Sequence, residues 1–242
     1  MQRIHLITWG WNEEKLLPYF LKYFSFCEKI TIRDDYSTDR SHEIIKSFPN
    51  TEIIFKPQPN GKPEIDDTEG LIFANNYYKN DRSYDWIILC SMDEFLYHPN
   101  LLEKLEEYKR LGVTIPRTVG FDMWTDKEIL EDKPLHEVIT LGRYSPNHSK
   151  CVIFNPKIDI NYTVGMHFCN PTGDVKWSDD LEFKVLHFLY QGYKVFVERR
   201  KLYWDQLSDE NKRRGWGAHN KTMSEMTERE YGELGKTMTK VL

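Results

Sequence analysis

The chain has 242 residues, with 33 basic and 38 acidic side chains and a formal charge of −5. At 40% hydrophobic and 29% charged it reads as a soluble globular protein long enough to bury a sizeable core, which excludes a mainly disordered chain. The longest apolar run, Trp86–Cys90, is far short of a membrane span, and a negative balance gives no electrostatic footprint for nucleic acid.

In chain order, Ile4–Thr8 alternates as a strand. Leu16, Leu17, Phe20, Leu21 and Phe24 follow at helical spacing, with Pro18 limiting the start of that helix. Lys29–Arg33 is a second strand ending at Asp34-Asp35. Asp39 is placed to cap a helix carrying Ile44, Ile45 and Phe48. Glu52–Phe55 is a third strand, Lys56–Asp67 a loop, and Thr68–Tyr78 a helical stretch. Asp85–Cys90 is an apolar strand of the kind buried on both faces of a parallel sheet. Pro99–Leu111 is a helix with Leu101, Leu102, Leu105 and Tyr108 on one face. After Gly112 the segments Val113–Phe121, Ile139–Leu141, Lys150–Asn155 and Leu181–Phe188 read as strands extending the same sheet. A helix from Tyr193 to Trp204 and a polar terminal helix close the chain. Strands alternating with helices predict an α/β fold with a mainly parallel sheet. Without a linker, the sequence predicts one domain over 1–242: a nucleotide-binding half 1–98, an acceptor-side half 99–221 and a C-terminal helix 222–242.

Met1-Gln2-Arg3 leads into a stretch too short and polar for a secretory leader. Cys27, Cys90, Cys151 and Cys169 show no C-x-x-C spacing. Neither a zinc site nor a disulfide framework is expected, and the predicted compartment is cytoplasmic.

In open α/β sheets ligands bind outside the carboxyl ends of the strands. Three strand ends deliver polar, mainly acidic groups: Thr8 with Asn12-Glu13-Glu14, then Asp34-Asp35, then Ser91, Asp93 and Glu94. Carboxylates crowded on one rim repel unless a cation or a hydrogen-bonding ligand compensates. A hard cation needs only one or two of them when diphosphate oxygens and water complete its shell. The bland alternative is that Asp93 caps a helix, that Glu94 is solvated and that Asp34, Asp35 and Asp39 are turn residues. The chain lacks G-x-G-x-x-G, P-loop and G-x-S-x-G patterns, which argues against dinucleotide dehydrogenases, Walker-type NTPases and serine hydrolases of that fold.

The ordered combination of Asn12–Leu21, Asp34–Asp39 and Asp85–Ile88 ending in Met92-Asp93-Glu94-Phe95-Leu96 resembles the family-2-like glycosyltransferases of the GT-A fold. The nearest branch has an acidic motif reading Asp-x-Asp-Glu-Phe. Lys150–Pro156, Gly165-Met166-His167, Val185–Phe188 and Glu198–His219 resemble the same branch. The resemblance implies a single GT-A-like domain with a mainly parallel central sheet flanked by helices. It also implies a Mn²⁺- or Mg²⁺-dependent transferase moving a sugar from a nucleotide-diphosphate donor to a glycan or glycoconjugate. Thr8, Asn12 and Glu13 would lie beside the nucleotide, Asp35 or Asp34 would hold base or ribose, and Asp93 and His187 would ligate the metal. Ser91 replaces the motif's first Asp and brings no charge, a loss that Glu94 would offset.

Such a reaction develops negative charge on the leaving diphosphate, for which Lys62, Lys150 and His187 are candidate partners. An inverting transfer needs a carboxylate base. Asp180, within Ser178–Glu182, is the first choice because the segment resembles the Glu-Asp pair of inverting members; Asp122, Asp174 and Asp179 are rivals. Trp124, Trp177 and Trp216 are candidates for stacking on sugar rings. A lipid-linked acceptor would bring peripheral membrane contact, although no basic amphipathic helix demands it. The competing readings are a nucleotidyltransferase of similar fold and a non-catalytic nucleotide-sugar-binding module.

Overall fold

The computed structural model describes residues 2–56, 64–127, 129 and 133–242. The first ninety residues alternate as the periodicity predicts. β1 (Ile4–Gly10), β2 (Lys29–Asp34), β3 (Thr51–Phe55) and β4 (Trp86–Leu89) are joined by α1 (Leu17–Tyr23), α2 (Ser41–Lys46) and α3 (Asp67–Asn76). Pro18 sits in the opening turn of α1, where its missing N–H costs nothing. Arg40 occupies the cap position of α2, and Asp39 acts from one residue earlier by accepting from the Ser41 N–H at 2.9 Å.

The remaining elements are β5 (Glu94–Tyr97), α4 (Leu101–Leu111), β6 (Thr118–Thr125), α5 (Leu135–Val138), β7 (Leu141–Tyr144), β8 (Ile153–Phe154), β9 (Phe183–Gln191), α6 (Tyr193–Gln206), α7 (Asp209–Arg214), α8 (His219–Ser224), α9 (Glu228–Gly235) and β10 (Thr239–Lys240). They do not extend the first sheet. The strands form two five-stranded sheets, ordered β3-β2-β1-β4-β8 and β10-β7-β6-β9-β5. In the first, β1 to β4 are parallel and only β8 is antiparallel. In the second, only the β6–β9 pair is parallel. The expected single GT-A-like domain with one mainly parallel central sheet is therefore corrected. The cause is local. The far edge of β4 is taken by β8, through Ile87 with Phe154 and Ile88 with Ile153, which leaves the later strands to pair among themselves. The expected terminal helix is likewise split into α8, α9 and the short strand β10.

The chain changes sheets between β4 and β5. A turn over Ser91–Glu94 carries it across, with the Glu94 N–H donating to the Ser91 carbonyl at 3.0 Å and the Ser91 N–H donating to Glu94 Oε2 at 3.1 Å. Apolar residues of both sheets, from Ile4, Leu6 and Ile88 to Met123, Val185 and Phe188, belong to one buried cluster. At about 25 cal/mol per Å² of apolar area, that shared interior couples the two sheets in stability.

Gly120 of β6 admits the one-turn helix Pro146–His148 against the strand. A Cβ there would lie 2.1 Å from the His148 carbonyl carbon. The Gly120 N–H donates to Ser149 Oγ at 2.9 Å, and its carbonyl accepts from the Ser145 N–H at 2.9 Å. Gly120→Ala should destabilise the fold by about 2–4 kcal/mol in urea titrations, since backbone cannot yield as a flexible side chain can. Gly232→Ala in α9, where a Cβ meets nothing within 4 Å, should instead stabilise by up to about 1 kcal/mol.

Candidate functional site at the sheet crossover

Strand register builds the site. Glu94 of β5 is paired with His187 of β9, His187 with Asp122 of β6, and Asp122 with Arg143 of β7. In-register residues on neighbouring strands share a face, so four ionisable side chains stand in one row across the second sheet. The register of β6 against β9 shifts just beyond the row, at a bulge between Asp122 and Trp124. Asp93, one residue before β5, sits at the end of the crossover.

His187 Nδ1 donates to Asp122 Oδ1 at 2.9 Å. His148 Nδ1 is 3.1 Å from the same oxygen and 2.8 Å from Ser145 Oγ. The two imidazoles stack with centroids 3.8 Å apart. With both Nδ1 atoms on one carboxylate, both Nε2 atoms lie on the opposite edges. His187 Nε2 is 3.5 Å from Asp93 Oδ2, and His148 Nε2 is 3.9 Å from Glu94 Oε1. Asp122, His148 and His187 each offer a ligand atom within 4.8 Å of the others, so the cluster could hold a metal ion.

Four carboxylates are buried here: Glu13, Asp93, Glu94 and Asp122. Burial without partners would drive them to the neutral form, and the chain supplies its own cations. Arg199 donates through Nη1 to Asp93 Oδ2 at 2.6 Å and through Nη2 to Glu13 Oε1 at 2.7 Å. Tyr203, one turn on along α6, also donates to Glu13 Oε1 at 2.7 Å. Lys150 Nζ is 2.6 Å from Glu94 Oε1, and its carbonyl is anchored by Thr118 Oγ1 at 2.7 Å.

The titration of the cluster follows. Burial pushes Asp93 up, but Arg199 and His187 overcome it and hold the carboxyl well below its ordinary range. Burial likewise raises Asp122, and the hydrogen bonds from His148 and His187 more than reverse it. Burial of Glu94 is outweighed by Lys150, so its carboxyl is also lowered. Burial pushes His187 down, yet Asp93 and Asp122 raise it to about 9.

Of the first-sheet residues named from sequence, Asn12, Asp34 and Asp35 have partners of their own on the rim. Asn12 Oδ1 accepts from the Thr38 N–H at 2.7 Å, and Asn12 takes a positive φ of 54°. Asp34 accepts from the Ser37 N–H and lies 2.9 Å from His42 Nε2. Asp35 forms an ion pair with Arg33 Nε at 3.2 Å, and the Arg33 guanidinium stacks over Phe73 at 5.1 Å. Thr8 is fully buried, and its Oγ1 has no hydrogen-bond partner among the described residues. Lys62 lies outside the described residues. Asp180 stands apart from the row: Tyr108 of α4 donates to its Oδ1, and Lys104 Nζ is 3.1 Å from its Oδ2. Asp174 and Asp179 are exposed. Trp124 is buried against Tyr231, and Trp216 lies under Arg214 at 4.7 Å. Trp177, by contrast, lines a cleft of about 400 Å³ together with Arg117, Lys150, His167 and Phe168. That cleft meets the cluster through Lys150.

The sequence reading missed His148, Arg199 and Tyr203. An arginine pair interrupting the apolar pattern of α6 was the available signal, because a buried guanidinium requires a carboxylate opposite. His148 had no signal beyond lying two residues before Lys150.

No family model matches the sequence, and no curated protein matches it. Solved structures give distant likenesses. Against S. aureus TarS the TM-score is 0.42 at 13% identity, covering 83% of this chain and 39% of that one. A shorter TarS chain in complex with UDP-GlcNAc gives 0.42 at 13%, covering 92% and 70%. Glucosyl-3-phosphoglycerate synthase from Mycobacterium tuberculosis, in complex with Mn²⁺, UDP and glucosyl-3-phosphoglycerate, gives 0.33 at 15%, covering 49% and 44%. The chain spans about two fifths of the longer TarS chain. Likenesses this distant assign no family and carry no functional argument. The expected membership in the GT-A family-2-like branch with an Asp-x-Asp-Glu-Phe motif is thereby corrected: no family model supports it, and the strands are partitioned into two sheets. Among the described residues no helix is long and apolar enough to cross a membrane.

Asp35 gives a pH test. Burial raises its pKa against the opposing pull of Arg33 and Lys56, to about 6. A carboxyl raised on folding contributes stability that is fully present below its unfolded value near 4. That contribution is lost as pH rises to about 6 and is flat beyond. The stability of the native chain relative to Asp35→Asn should therefore fall by about 3 kcal/mol between pH 3.5 and 6.5 and then level off. Urea midpoints across that range measure it, and a difference that does not vary with pH would remove Asp35 from the titrating set.

Proposed function

We propose that the chain is a divalent-metal-dependent glycosyltransferase. It would use a nucleotide-diphosphate sugar as donor and a hydroxyl of a glycan or glycoconjugate as acceptor. The observation that carries the proposal is the cluster of Asp122, His148 and His187, whose ligand atoms all lie within 4.8 Å of one another, with Asp93 Oδ2 3.5 Å from His187 Nε2 and Glu94 Oε1 3.9 Å from His148 Nε2. It stands where the chain passes between sheets, beside a rim bearing Thr8, Asn12, Glu13, Asp34 and Asp35.

The donor set fits Mn²⁺ or Mg²⁺ chemistry, Mn²⁺ better because it accepts imidazole as well as carboxylate. Asp93 and His187 are the proposed protein ligands. His148 and Asp122 converge with His187, and Asp122 would also orient both rings, as carboxylates commonly do for metal-binding histidines. When bound, such a cation neutralises charge on the departing diphosphate. The remaining work belongs to the chain. Arg199 and Lys150 present guanidinium and ammonium groups to the same anion. Glu13 and Tyr203 fix Arg199 in place. Asp35 or Asp34 accepts from base or ribose, with Ser91 and Asn12 nearby on the rim. The cleft lined by Trp177, Phe168, Arg117 and Lys150 receives the acceptor, with one aromatic face suited to a sugar ring. Among the proposed carboxylates, Asp122 is too strongly held by two histidines to serve as the base. Asp180 would act only on an acceptor reaching the α4 side.

A second reading is favoured by one contact. Arg199 already occupies Asp93 Oδ2, as a fixed cation would in a module that binds nucleotide sugars without turning them over. Purified full-length chain incubated with a panel of nucleotide-diphosphate sugars, with Mn²⁺, Mg²⁺ or chelator, separates the two. Release of nucleoside diphosphate only with metal is the expected result. Asp93→Asn and His187→Gln should each lower that release by about 100-fold or more. Asp122→Asn should weaken apparent metal affinity by roughly 10–100-fold. Calorimetric donor binding with no release under any condition would establish the binding module instead.

A further inference from the structure

Two of the four cysteines are apart from the reading above. Cys27 and Cys90 are buried at 3% and 2% exposure, and burial pushes both thiols up, which keeps them inert. Cys151 and Cys169 are half-buried and face each other with Sγ atoms 3.0 Å apart. They come from different pieces of chain. Cys151 directly follows Lys150 and precedes β8. Cys169 lies in a hairpin-like excursion held by the Tyr162–Cys169 and Asp159–Thr172 bridges and by the Thr163 N–H donating to the Phe168 carbonyl at 2.9 Å. Both cysteines line the 400 Å³ cleft, beside His167, Phe168 and Trp177. Tyr162 also donates to the Cys151 carbonyl, so the two segments are already registered against each other.

We infer that Cys151 and Cys169 are a redox-modification site that closes reversibly to a disulfide in the wall of the cleft. A sulfur pair held this close, on two anchored segments, needs about 1 Å of approach to reach a bond of roughly 2.05 Å. The oxidant is a small-molecule disulfide of the glutathione type. Either sulfur can open the exchange, since the contact between them can run in either direction. One thiol gives up its proton and attacks the small disulfide, forming a mixed disulfide and expelling one small thiol. Its neighbour then gives up its proton and attacks the protein sulfur of that mixed disulfide, expelling the second small thiol. Two protein thiols and one small disulfide become one protein disulfide and two small thiols. The oxidised chain would carry a closed loop that ties the Phe168 side of the cleft to the segment leading into β8. This inference does not depend on the sugar-transfer reading, and its test needs no activity.

Full-length protein is equilibrated in glutathione buffers of increasing oxidised fraction, quenched in acid, unfolded in guanidinium chloride, alkylated there with N-ethylmaleimide and weighed intact. The expected result is a species two hydrogens lighter with two labels instead of four. Its peptide map joins the segments containing Cys151 and Cys169. The thermal midpoint should rise by roughly 5 °C on oxidation. Cys151→Ser and Cys169→Ser should each abolish both changes, and Cys27→Ser should leave them. Four labels at every ratio would overturn the inference, as would a link involving Cys27 or Cys90. So would a glutathione adduct on wild-type Cys151 or Cys169 that the neighbouring thiol fails to resolve. Because the mass readout is made on the native sequence, a variant that misfolds does not obscure the outcome.

Discussion

Everything at the crossover depends on matching buried charge. Removing an ion from water costs several kcal/mol even after relaxation, and an interior pair repays that only with good geometry and further hydrogen bonds. Glu13, Asp93, Glu94 and Asp122 are all less than a tenth exposed, and each is met by a cation or an imidazole. Arg199 is the keystone, because its guanidinium spans two carboxylates from different places: Glu13 in the loop after β1 and Asp93 at the sheet crossover. Deleting it would leave Glu13 with the neutral Tyr203 hydroxyl and Asp93 with His187 and the more distant Arg200, weakening both at once, whereas deleting one carboxylate leaves the other in place. The energetic consequence is asymmetric, and it makes α6 part of the site rather than a layer packed beside it.

Backbone geometry places these charges before their electrostatics acts. The Glu94–His187–Asp122–Arg143 row follows from strand register alone, and a slip of one residue on β9 would turn His187 to the opposite face. His148 joins the row through a close approach that only a glycine at position 120 allows. Two unrelated constraints, one of register and one of volume, thus converge on a pair of stacked imidazoles that share one acceptor.

The sequence made the first sheet legible because local periodicity sufficed: β1, β2 and β4 each announce themselves by apolar runs, and their polar ends fall on one rim. It also marked Asp93 and His187 as a pair worth watching. The division into two sheets was not legible. Apolar patterning records which face of a strand is buried, not which strand lies beside it, and the pairing of β4 with a two-residue strand some sixty positions later has no local signature. Residues that act by long-range pairing were lost for the same reason. Arg199 and Glu13 are far apart in sequence and meet only because α6, packed on β9 and α8, brings its guanidinium to the loop after β1. Asp180, attractive by its local motif, is claimed by Tyr108 and Lys104 of a helix that the motif says nothing about. The approach of Cys151 and Cys169 was equally illegible: all four cysteines are free, their spacing shows no framework, and only tertiary folding brings these two sulfurs together.

Arg199 also constrains how any diphosphate could be received. Its Nη1 lies 2.6 Å from the Asp93 oxygen that faces His187 Nε2, so a second cation at that oxygen would sit against a guanidinium in a site shielded from water. Like charges at such separation are strongly unfavourable at low effective dielectric. The repulsion is relieved if Arg199 shifts its donors from Asp93 to an arriving anion, and Glu13 with Tyr203 would keep the guanidinium within reach while it does so. Cation and anion binding would then be coupled, each favouring the other by the same free energy. One arginine shared between two carboxylates would thus let such a site hold cation and anion better together than either alone.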